Sequence, residues 1–109
     1  MNHIMQIVTL PIGVEFDGVI HRELAVRPRI MRDSLDVDLD GPYPNAILLA
    51  RQIVSLGTIP PEGIGPELVL DMYEDDFVAL TDAAEKVREK ARSFRGRTET
   101  AAENDFGRT

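Results

Sequence analysis

The chain has 109 residues, of which 43% are hydrophobic and 28% are charged, and these proportions are typical of a single globular domain. Its 19 acidic residues against 12 basic residues give a formal net charge of -7, which disfavours nucleic acid and anionic membranes as main partners. Because the chain has no cysteine, disulfides, thiolate nucleophiles and zinc sites of the cysteine type are excluded.

A β-hairpin is predicted over residues 4–28. Apolar side chains alternate along its first strand, and Asp17 and Gly18 form a turn signal. A two-residue turn would pair Val14 with His21, whereas a three-residue loop with Gly18 in the left-handed region sets apolar residues opposite one another. A slip of one residue would turn every side chain of the strand to the opposite face of the sheet. The second register is therefore favoured, because it matches apolar residues with apolar residues. Its predicted pairs are Val14 with Ile20, Leu10 with Leu24, and Val8 with Val26.

Helices are predicted for most of the remaining chain. Residues 45–56 are apolar on nearly every helical face, which indicates a buried central helix, and Gly57 is placed to end it. Pro66 suits the first turn of a short helix because its missing N–H costs nothing there. The predicted helices cover about residues 29–39, 45–56, 66–72 and 74–95.

The last predicted helix carries an apolar stripe in which the spacing alternates between three and four residues. The stripe consists of Phe77, Leu80, Ala84, Val87, Ala91 and Phe94. A helix of about 20 residues spans about 30 Å, which is about the width of the whole domain, so the stripe is longer than such a small body can cover. We therefore expect Val87, Ala91 and Phe94 to project beyond the hairpin as candidate partner-binding residues, and we expect the protein to form homo-oligomers.

The C-terminal residues 96–109 are polar and lack periodicity, so they are predicted to form a disordered tail. The predicted fold class is therefore α+β. An N-terminal β-hairpin packs on a small bundle of three to four helices within a single domain, residues 1–95.

No catalytic constellation is visible in the sequence. His3 and His21 lack a recognisable partner, and on the favoured register His21 points to solvent. The acidic residues within 71–76 lack the spacing of an EF-hand loop and are interpreted as a solvated helix start. The basic residues within 86–97 alternate with glutamates, which favours a solvated helix face over a nucleic-acid site. We expect neither enzyme activity nor a cofactor or metal.

Two stretches are more specific than any of these motifs. The first reads TLPIGVEFDGVIHREL at residues 9–24 and continues to Arg27 and Pro28. The second reads LLARQIVSLGTIP at residues 48–60, followed by PELVLD at 66–71 and DDF at 75–77. Together they resemble the tail assembly chaperone family of Mu-like tailed bacteriophages and prophages.

The resemblance implies a protein that binds the tape-measure protein, keeps it soluble and helps recruit tail-tube subunits during tail morphogenesis. It also implies action in the cytoplasm of the bacterial host and absence from the mature virion. No run approaches the roughly 20 apolar residues of a membrane helix, so no membrane partner is expected. The alternatives are a structural tail or baseplate component and a small DNA-binding regulator.

Overall fold

The computed structural model describes residues 4–106, and it describes side chains as far as Phe94. Within this part of the chain, one antiparallel sheet has the strand order β1-β2-β3. The strands are β1 (Gln6–Phe16), β2 (Val19–Val26) and β3 (Ile53–Leu56). The helices are α1 (Met31–Ser34), α2 (Pro44–Gln52), α3 (Pro66–Leu70) and α4 (Glu74–Phe106). The predicted α+β class and the N-terminal hairpin are confirmed.

The hairpin turn has two residues rather than three. Phe16 pairs with Val19, and Val14 pairs with His21, so the predicted register with Val14 opposite Ile20 is wrong. Asp17 and Gly18 have φ of 53° and 79°. Two successive residues at positive φ match the right-handed twist of the flanking strands, which stabilises this tight turn. The predicted positive φ of Gly18 is confirmed.

A break in β1 explains why the register that sets apolar residues of the two strands opposite one another is not the one formed. Residues 10–13 lie opposite Arg22 alone, after which Thr9 pairs with Glu23 and Val8 with Leu24. The predicted pairs of Leu10 with Leu24 and of Val8 with Val26 are therefore wrong as well. Because the break absorbs extra residues, the tight turn and an apolar core face coexist.

The predicted helix over residues 45–56 divides into two elements. Pro44 is the first residue of α2, which ends at Gln52, and Ile53–Leu56 then pairs with β2 as a third strand. Gly57 is therefore not a helix cap; it lies in the turn after β3 with φ of 55°. The first predicted helix is also shorter than expected, because the backbone becomes extended at Leu35.

The hydrophobic core lies between the sheet and the helices. Leu24, Leu56 and Leu80 are fully buried in it. α4 packs mainly against β1, and α2 packs against α3.

No helix within the described residues has the length and apolar character needed to cross a membrane. The predicted disordered tail, residues 96–109, lies outside the residues whose side chains are described.

Candidate functional site

The three candidate partner-binding residues lie in different environments along α4. Val87 is 0% exposed and belongs to the core, so the expectation that it projects beyond the hairpin is wrong. Ala91 is half-buried and lines an open groove. Phe94 is 47% exposed. The burial of Val87 shows that the sheet and α2, which both contact α4, cover this helix farther along its length than expected.

The α1/α4 groove is an open cavity of about 620 Å³ between the segment around α1 and one face of α4. Its apolar lining residues are Pro28, Ile30, Met31, Ala84 and Ala91. Ile30 and Met31 are large side chains that remain mostly exposed to solvent. An open groove with such a floor is suited to receive an apolar side chain from another molecule.

Arginine side chains dominate the charged lining of the α1/α4 groove. Arg29, Arg88 and Arg92 line it together with one acid, Glu85. The Arg88 guanidinium lies 3.9 Å from the Glu85 carboxylate, and the side chains of both are mostly exposed. Exposed ion pairs of this kind contribute about 0–1 kcal/mol each, so these arginines can reorient toward a partner. The groove is therefore locally basic in a chain of net charge -7.

A partly buried ion pair fixes the α1 side of the groove. Asp33 is 5% exposed, and its two carboxylate oxygens each accept a hydrogen bond of 2.8 Å from the Arg27 guanidinium. The Ile30 N–H donates to the same carboxylate at 2.9 Å. The hydrogen bonds from Arg27 hold the pKa of Asp33 below its ordinary value. Bidentate pairing of this kind also restricts geometry, and it holds α1 against the end of β2.

The last residues of α2 connect to the same network. Arg51 donates hydrogen bonds of 2.9 Å to the carbonyl oxygens of Asp33 and Leu35. The Gln52 side chain donates to the Arg27 carbonyl at 2.9 Å and accepts from Arg29 at 3.0 Å. The wall of the groove is thus attached to β2 and α2 through polar contacts as well as packing.

Asp76 joins α4 to the break in β1. Its side chain is 0% exposed, and its two carboxylate oxygens accept hydrogen bonds of 2.9 Å from the N–H groups of Ile12 and Gly13. The sequence pattern predicted a solvated helix start at this position, which is wrong for Asp76. Since the contact joins residues more than sixty positions apart, no local spacing indicates it.

His21 is buried rather than pointing to solvent. Its Nδ1 accepts a hydrogen bond of 3.3 Å from the Thr58 N–H, and its ring lies against Gly57. The prediction of an exposed histidine fails together with the register on which it depended. The contacts make His21 part of the packing between β2 and the turn after β3.

The described side chains form no cluster that could hold a metal ion: among residues 4–94, no group of three or more His, Cys, Asp or Glu side chains is placed to do so. A second open cavity of about 550 Å³ lies near the hairpin and α3, lined by Phe16, Leu68 and Met72 among others.

Comparison of the chain with protein-family models, curated proteins and solved structures finds no match.

Proposed function

We propose that the protein is a tail assembly chaperone of a tailed bacteriophage, which binds the tape-measure protein and helps recruit tail-tube subunits. The observation that carries this proposal is the α1/α4 groove, whose lining combines apolar residues with three arginines. The resemblance of residues 9–24 and 48–60 to the Mu-like chaperone family supports the same role. The protein acts by holding a partner and not by transforming a substrate.

The proposed client is a helical segment with an apolar ridge and acidic flanks. Apolar side chains at helical spacing would fill the floor formed by Ile30, Met31 and Ala91. Acidic flanks would meet Arg88 and Arg92, which adds specificity for the client's charge pattern. Coverage of its apolar ridge keeps such a client soluble until the tail tube assembles around it.

Co-expression of the chain with the tape-measure protein of the same phage tests this proposal. The double variant Met31→Asp with Ala91→Asp places two carboxylates on the groove floor, and we expect recovery of soluble tape-measure protein in a pull-down to fall at least about tenfold. The matched control is Leu70→Asp with Val78→Asp, which changes two exposed apolar residues outside the groove. Equal recovery with both double variants, each folded by circular dichroism, would contradict the proposed site.

The proposal also assigns the protein to the host cytoplasm and excludes it from the mature virion. Detection of the chain in purified particles would instead favour the alternative of a structural tail or baseplate component. The net charge of -7 argues against the alternative of a DNA-binding regulator.

A further inference from the structure

An exposed acidic segment begins where the lining of the α1/α4 groove ends. Ser34 lines the groove, and residues 35–43, here called the acidic segment, follow it directly. Leu35, Leu39 and Tyr43 expose 53%, 70% and 62% of their surface. The segment therefore presents large apolar side chains to solvent beside the groove, although none of its own residues lines it.

The charge of the acidic segment is complementary to that of the groove. It carries Asp36, Asp38 and Asp40, and no ion pair within residues 4–94 involves any of the three. The groove lining holds Arg29, Arg88 and Arg92 against the single acid Glu85, and Arg92 also pairs at 3.0 Å with Glu89 outside the lining. One chain thus contains both an acidic apolar projection and a basic apolar cavity.

The acidic segment has a defined shape. Arg51 holds the Leu35 carbonyl at 2.9 Å, and the Gly41 N–H donates to the Asp38 carbonyl at 2.9 Å in a turn. The Asp38 carboxylate accepts a hydrogen bond of 3.0 Å from the Asp40 N–H. Because the segment is already ordered, docking it costs less conformational entropy than docking a flexible chain.

We propose that the acidic segment of one copy docks in the α1/α4 groove of a second copy, in a two-fold symmetric dimer. In such a dimer each groove receives the partner's segment, because a two-fold interface uses the same surface on both subunits. Because the segment and the groove are neighbours in the fold, each copy can place its segment in the other copy's groove around a single two-fold axis. Leu39 and Tyr43 fill the apolar floor, while Asp36 and Asp40 face Arg88 and Arg92.

The dimer also regulates access of the client to the groove, and this second statement rests on the proposed function. The partner's segment covers the apolar floor in the absence of client, and a client of matching chemistry displaces it. Self-association and client binding then compete for one surface. The dimer itself requires only the groove and the segment, so it is tested without a client.

A reciprocal charge exchange tests the dimer. The groove variant carries Arg88→Glu with Arg92→Glu, and the segment variant carries Asp36→Lys with Asp40→Lys. We expect each variant alone to weaken dimerisation on the order of a hundredfold in sedimentation velocity across a concentration series. An equimolar mixture should restore dimers, because both docking contacts then join opposite charges.

The control is Lys86→Glu, which reverses a charge on α4 outside the groove lining; Lys90 is left unchanged because it donates a hydrogen bond of 2.7 Å to the Met5 carbonyl. This control should dimerise like the wild type. A wild-type chain that stays monomeric, variants that dimerise as tightly as wild type, or a mixture that stays monomeric would each overturn the proposal. Circular dichroism of every variant separates loss of docking from loss of folding.

The result is independent of the proposed function. If the mixture restores dimers but the chain does not retain tape-measure protein, the dimer stands and the chaperone role fails. If the chain retains tape-measure protein but is monomeric at every concentration, the groove serves the client alone and the dimer is wrong.

Discussion

Gly57 and Gly18 both have positive φ, yet an added methyl group would meet different surroundings at the two positions. A methyl group at Gly18 would have no described atom within 4 Å beyond its own chain neighbours, whereas at Gly57 it would overlap the His21 ring. The backbone strain is common to both sites, but the steric conflict is confined to Gly57. Substitutions at the two glycines therefore distinguish the cost of left-handed backbone strain from the cost of steric overlap.

We predict that Gly57→Ala lowers the free energy of unfolding by about 2–4 kcal/mol, because left-handed strain and overpacking against His21 add together. Gly18→Ala, with strain alone, should lower it by about 1 kcal/mol. Urea denaturation of both variants measures the difference. Equal losses would show that His21 moves aside without cost.

At the scale of elements, α4 presents one valine to the core and another to solvent. Val87 is 0% exposed and Val78 is 56% exposed, and both lie on the same helix. We predict that Val87→Asp destabilises the protein by about 4 kcal/mol or more, because an unpaired charge would be buried. Val78→Asp should stay close to wild type. Thermal unfolding compares the pair, and a well-folded Val87→Asp protein would contradict the assignment of Val87 to the core.

The Arg27–Asp33 pair joins the residue after β2 to α1 and makes the stability of the protein depend on pH. Because the pKa of Asp33 is lower in the folded protein, its stabilisation is present above the ordinary aspartate pKa of 3.8 and is lost as pH falls through the folded value. We predict that wild type loses more stability between pH 7 and pH 3 than Asp33→Asn does. Urea denaturation at both values measures this, with the exposed Asp82→Asn as control. Parallel losses in wild type and Asp33→Asn would contradict the role of the pair.

Local signals predicted the elements that depend on local chemistry. The left-handed Gly18 and the start of α4 at Glu74 follow from turn and helix-start preferences that act within a few residues, and α2 begins at Pro44, one residue before the predicted start. β3 was not predictable in this way, because Ile53–Leu56 is as apolar as the helix before it. Its strand conformation depends on pairing with β2, which lies far away in the sequence.

The candidate site was predictable only in part. The apolar stripe of α4 led to Ala91, which does line the groove, but periodicity alone cannot tell which members of a stripe the fold covers. Val87 was predicted to be exposed, but the fold buries it. The α1 side of the groove, with Ile30 and Met31, depends on the Arg27–Asp33 pair, and no sequence pattern indicated that contact.

At the scale of the whole molecule, the net charge of -7 conceals an uneven distribution. Arg29, Arg88 and Arg92 gather at the groove, while three aspartates gather in the neighbouring acidic segment. The net charge of the whole chain disfavours nucleic acid as the main partner. It does not describe the local charge of the surface that a protein partner contacts. The proposed client and the proposed second copy both use this local contrast.

The contact between Asp76 and β1 has a consequence for behaviour at high concentration. β1 lies at the edge of the sheet, and an open edge of N–H groups invites strands of other molecules to pair and aggregate. Asp76 occupies the N–H groups of Ile12 and Gly13, and Pro11 beside them has no N–H to offer. Three successive positions of the edge are thereby closed to a foreign strand. The chain thus carries, in one carboxylate, protection against forming amyloid-like fibres.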